Sequence, residues 1–137
     1  MPELNCRLQA VQKQPDIAVV TIQGSIDPRN LSTLEAALAA AGSRGFRTVI
    51  LDLADVRYIN SAGLAYLVNL SDKLAERGGG LHLANPQPKV KVVFDLMGVS
   101  EFFKLYKSVE GAVAALAASR AGRRRPASTG TFGRRHP

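Results

Sequence analysis

Asn60 and Ser61 stand together where an apolar run gives way to a segment of helical periodicity. Both residue types offer a side-chain oxygen to the free amides of a first helical turn, and on local spacing alone capping is the commoner reason for such a pair. A serine in that place has a second chemistry. Phosphorylation would add a charge of about −1.5 to −2 at a helix N-terminus, where amides and dipole accept it without unfolding the helix.

Other candidate groups have simpler readings. Asp27 precedes Pro28 in the manner of a helix start, so a capping carboxylate accounts for it. Asp52 and Asp55 lie close together, yet no nucleophile, histidine base or phosphate-cradling loop accompanies them. His82 alternates with Leu81 and Leu83 and has neither a Cys nor a second His at metal-ligand spacing. The run Gly78 to Gly80 lacks the Lys-Ser/Thr of a phosphate loop and reads as a helix stop. No catalytic constellation, cofactor motif or metal set is visible, so the chain is expected not to be an enzyme.

The elements that must position Ser61 follow from periodicity. Leu4 to Val11 and Ile17 to Gln23 are expected to form a hairpin around a turn at Lys13 to Asp16, with Gly24 ending the second strand. Leu31, Leu34, Leu38 and Ala41 recur at helical spacing, and Gly42 and Gly45 end that helix. Phe46 to Leu53 is apolar on both faces, as expected of a covered central strand followed by a short loop. The second helix is expected over Ala62 to Arg77, with Leu64, Leu67, Val68 and Leu74 inward. A short strand at Leu81 to Ala84 leads to a third helix opened by Pro86 and Pro88, with Val90, Val93, Phe94 and Met97 on one face. Phe102 to Tyr106 reads as an edge strand and Glu110 to Ala118 as an alanine-rich fourth helix. Strands alternating with helices imply right-handed parallel crossovers, here added to an N-terminal hairpin. The expected class is α/β, with a mixed sheet of four to five strands and about four helices packed mainly on one face.

The formal charge of +7 is unevenly spread: residues 1–119 hold 12 Lys/Arg against 11 Asp/Glu, whereas residues 120–137 hold six Arg and no acid. The expected division is a folded domain over 1–119 and a disordered basic tail over 120–137, in which Arg123 to Arg125, ahead of Ser128, are read as solvated charge rather than as a basic kinase site or an anionic-surface contact. A near-neutral domain lacks the basic surface of a nucleic-acid-binding fold, and no direct nucleic-acid contact is expected. The lone Cys6 cannot form an intramolecular disulfide, no secretory leader opens the chain and no apolar stretch is long enough to span a bilayer. A cytoplasmic protein without membrane insertion is the expectation.

Gly24-Ser25-Ile26-Asp27, then a helix and a strand, then Ile59-Asn60-Ser61-Ala62-Gly63-Leu64 resembles the STAS family. Its members carry Gly-x-Ile/Leu-Asp and then Asp-Ser-(Ser/Thr/Ala)-Gly-Leu in that order. Phe94-Asp95-Leu96-Met97-Gly98-Val99 is similar to the family's Phe-x-Leu-x-Gly-Leu, so the resemblance covers residues 4–118. It implies a STAS fold and an anti-sigma factor antagonist, or anti-anti-sigma factor, that acts by partner switching. Unphosphorylated, such a protein binds an anti-sigma factor with a GHKL-type serine kinase fold; phosphorylation of Ser61 releases it, and a PP2C-type phosphatase resets it. Asp27, Asn60, Ser61, Ala62, Gly63 and Leu64 are the implied partner-binding positions. Asn60 and Ala62 depart from the family's Asp and frequent second hydroxyl. The same resemblance also covers a non-switching scaffold, such as an accessory subunit of a phospholipid ABC transporter or a signalling assembly. Homodimer formation is left open.

Overall fold

In a computed structural model, residues 4–123 are described. Five strands form one sheet in the order β1-β2-β3-β4-β5: Asn5–Val11, Gln14–Ile26, Thr48–Ile59, Gly80–Ala84 and Lys104–Tyr106. Four helices, α1 (Leu31–Ser43), α2 (Ser61–Glu76), α3 (Pro88–Leu96) and α4 (Val109–Arg123), and a 3-10 turn at Ser100–Phe102 complete the described elements. β1 pairs antiparallel with β2, and the remaining neighbours are parallel. The sheet is therefore mixed, with β3 at its centre.

The two faces of the sheet are unequally covered. Leu34 and Leu38 of α1, Leu64, Leu67 and Leu74 of α2, and Val90 and Phe94 of α3 join Val20, Leu51 and Leu83 in the main core. On the other face Ala112, with Val113 and Leu116, packs α4 over Ile17, Val19, Ile50 and Ala84. This is why β3 is apolar on both sides from Val49 to Leu51.

Several local expectations give way to tertiary structure. The hairpin turn is confined to Gln12 and Lys13, with Lys13 at φ 69°, because Val11 already pairs with Gln14. Gly24 does not end β2. It sits inside the strand at φ 124°, where the register with β3 shifts, so the glycine supplies a bulge and the strand continues to Ile26. No loop follows Leu53, because β3 runs on to Ile59 with β2 as its partner. Met97 is 53% exposed although its spacing matched the buried face of α3, since it lies just beyond that helix's last turn. α4 extends past the expected boundary at Ser119, and the remainder of the expected basic tail, with Arg124, Arg125 and Ser128, lies outside the described residues.

The glycine run after α2 has two duties. Gly78, at φ 85°, turns the chain out of the helix, while Gly79 passes so close to the residue before β3 that an added Cβ would lie 1.7 Å from the Arg47 carbonyl oxygen. Gly78→Ala is expected to cost about 1 kcal/mol and Gly79→Ala more than about 3 kcal/mol in urea unfolding, the second because backbone itself must move.

Candidate functional site

β2 and β3 end side by side. Ile26 pairs with Ile59, and the Asn60 amide donates to the Ile26 carbonyl at 3.0 Å. α2 begins at the next residue, so the sequence from strand to helix contains one connecting residue, Asn60. Its backbone is extended, and its Oδ1 accepts the Gly63 amide at 2.9 Å while its carbonyl accepts from Leu64 at 3.1 Å. Of the two candidate caps it is Asn60 that caps; Ser61 is the first helical residue and its side chain is left exposed.

This close junction requires Gly63. A Cβ there would stand 2.8 Å from Ile26 Cγ2 and 3.0 Å from Ile59 Cγ1. Gly63 and Leu64, 2% exposed, thus seat the helix on the strand ends rather than meeting solvent. The surface positions among the expected set are Ser61 and Ala62, with Asn60 and Asp27 half-buried beside them.

The amides of Ser61 and Ala62 have no partner among the described residues, as expected of a first turn whose cap serves only the third amide. They give the helix end its positive character. The aromatic ring of Tyr58, 51% exposed, stands at the same sheet end opposite Ser25.

Asp27 does not cap α1. Its Oδ1 accepts the Arg29 amide at 2.8 Å and its Oδ2 lies 3.3 Å from the Arg29 guanidinium. The Arg29 amide is the main reason that its carboxyl is held below the usual range, with the guanidinium adding to it. Because the folded form is the more acidic, this local contribution is present above the ordinary aspartate range and is lost as pH falls through the lowered value.

The residue at the start of α1 is Asn30, whose side chain also makes no helix cap. It is buried, donates to the Ser25 carbonyl at 2.6 Å and accepts the Asp27 amide at 2.9 Å. Asn30 therefore latches the turn beside Ser61. Sequence reading missed it, although an Asn immediately before the first apolar helical position was a usable signal.

The other polar candidates do structural work. Asp52 Oδ1 accepts from the Ala54 amide and from Asn85 Nδ2 at 3.2 and 3.1 Å, fastening the turn after β4 to β3. Asp55 accepts from Gln23 at 3.4 Å, apart from Asp52. His82 is half-buried and faces Tyr106, well away from Ser61. Cys6 is free and half-buried, and burial pushes its thiol pKa up. No helix among the described residues is long and apolar enough to cross a membrane.

A mixed five-stranded sheet with an exposed serine at the N-terminus of the helix after its central strand defines the class. The STAS domain model matches residues 9–112, and the chain belongs to the STAS family. A Bordetella bronchiseptica protein provisionally named an anti-sigma factor antagonist, BtrV, is 35% identical over 105 residues, covering 77% of this chain and 90% of that one. The anti-sigma-B factor antagonist of Bacillus subtilis is 29% identical over 110 residues, covering 80% and 99%. The crystal structure of an anti-sigma factor antagonist from Mycobacterium paratuberculosis shares the fold with a TM-score of 0.74 at 23% identity, covering 84% and 95%. Phosphorylated SpoIIAA of Bacillus superimposes with a TM-score of 0.63 at 19% identity, covering 82% and 99%.

The latch and the cap can be separated by mutation. Asn30→Ala is expected to destabilise by about 2 kcal/mol, because it orphans the half-buried Ser25 carbonyl and Asp27 amide. Asn60→Ala should cost about 1 kcal/mol, the ordinary value of a lost helix cap. Chemical unfolding of both variants checks the order.

Proposed function

We propose that this STAS domain is a phosphorylatable anti-sigma factor antagonist, a binding switch rather than an enzyme. The observation that carries this reading is the exposed Ser61 hydroxyl on the first residue of α2, beside two amides with no partner among the described residues, with the cap supplied by its neighbour. The relatives named as antagonists extend over most of the chain and support it.

Unphosphorylated, the domain offers a partner a small surface of Ser61 and Ala62, flanked by Asp27 and Asn60, with the exposed Tyr58 at the same end of the sheet. Aromatic groups in such places are frequent anchors of protein interfaces. The partner is an anti-sigma factor of the GHKL serine-kinase type, and its capture frees a sigma factor for transcription in the cytoplasm.

Phosphate on Ser61 would be held by the free amides and the helix dipole, so the fold need not change. The interface would change: a hydrated dianion would have to be buried against the partner, and its desolvation opposes binding. A PP2C-type phosphatase completes the cycle. Asn60 retains the cap that an aspartate would supply while removing one negative charge from beside the phosphate, which eases its arrival.

The test is the affinity of the full chain for the anti-sigma kinase encoded nearest to it. Ser61→Ala is expected to bind like wild type and Ser61→Glu at least about tenfold more weakly, the penalty of a buried unpaired charge. Equal binding by all three would overturn the switch and favour the scaffold reading, which the loss of the acidic residue at Asn60 also favours.

A further inference from the structure

The end of the sheet opposite Ser61 holds a cavity of about 360 Å³ that the switch does not use. It lies where β3 and β4 begin, at Thr48 and Gly80, and is walled by α2, α4 and the 3-10 turn. Along β3 it is separated from Ser61 by roughly 36 Å, at about 3.3 Å per residue.

The polar lining is rich in donors and contains no carboxylate among the described residues: Thr48, Ser71, His82, Lys104, Tyr106 and Ser119. Thr48 is 4% exposed, yet its hydroxyl makes no hydrogen bond within the described protein. Such a buried orphan is uncommon and costs stability unless something fills the site. The Lys104 ammonium has no ion-pair partner among the described residues. The Tyr106 hydroxyl and His82 Nδ1 stand 3.4 Å apart, a contact at the long limit of a hydrogen bond. Phe102, 54% exposed, and Leu116 supply an apolar wall.

We propose that this cavity is a binding site for a small organic anion, whose acidic head lies between Lys104, His82 and the Thr48 hydroxyl and whose apolar body rests on Phe102 and Leu116. The volume is that of a small-ligand site, and the lining offers a cation, hydroxyls and an aromatic face with nothing to repel negative charge. Carboxylates and phosphate monoesters share the required chemistry.

The free site is electrostatically unrelieved. Burial and the neighbouring Lys104 hold the His82 imidazole pKa below its ordinary value. The charged or titratable groups lining the cavity with it are Lys104 and Tyr106 of β5, and the lining residues from α2 and α4 are uncharged. A bound anion favours the imidazolium, so binding strengthens as pH falls through the histidine range.

The experiment is an NMR titration of the full chain with inorganic phosphate and with phenyl phosphate at constant ionic strength. Saturable shifts are expected at Gly80, His82, Lys104 and Tyr106, with phenyl phosphate tighter by about fivefold through its buried ring. Lys104→Ala and Thr48→Val, one at the surface and one isosteric, should each weaken binding by about tenfold while leaving the fold intact. Non-saturating shifts, equal binding of the two probes, or full affinity in both variants would overturn the proposal.

Discussion

Everything at the serine depends on the junction of β3 with α2 being one residue long. The Asn60 amide binds the Ile26 carbonyl, its side chain binds Gly63, and Gly63 presents no side chain to Ile26 and Ile59. With both the strand end and the helix start fixed, the residue between cap and core has one place to go, and Ser61 is held out toward solvent. Because the cap is supplied by Asn60, the serine hydroxyl is not engaged in holding the helix, and a charge can be added to it without dismantling the N-terminus.

The sheet carries this junction outward from a doubly covered core. α1, α2 and α3 bury one face, α4 buries the other, and β3 lies between β2 and β4 until Asp52, beyond which β2 alone accompanies it to Ile59. The exposed end of β3 carries Tyr58 three residues before the serine, while Asn30 and Asp27 brace the neighbouring turn from within and from the surface. A platform of this kind can lose or gain a partner with little rearrangement, since its backbone hydrogen bonds are made inside the domain.

Element order and class were legible because burial follows period: α1 and α2 bury residues at helical spacing, and the covered half of β3 holds the apolar run Val49 to Leu51. The outer half of β3 was not. Ala54, Asp55, Arg57 and Tyr58 are exposed where the strand has one neighbour instead of two, so the segment carries the composition of a loop. Gly24 and Asp27 misled for a related reason: a bulge glycine looks like a stop, and an aspartate before proline looks like a cap, until the neighbouring strand and Asn30 decide otherwise. Ser61 was singled out by the pattern around it, whereas the cavity beneath His82 draws its lining from several distant segments and has no linear signature.

Asn60 is the residue on which the two readings of the site divide, since it preserves the cap and discards the acid. The most direct measurement is the intact mass of the full chain and of Ser61→Ala after incubation with the anti-sigma kinase and ATP. One phosphate on the wild type and none on the variant is the outcome expected of a switch at the start of α2. An unmodified wild type that nevertheless binds that kinase, or a phosphate that survives Ser61→Ala, would contradict it.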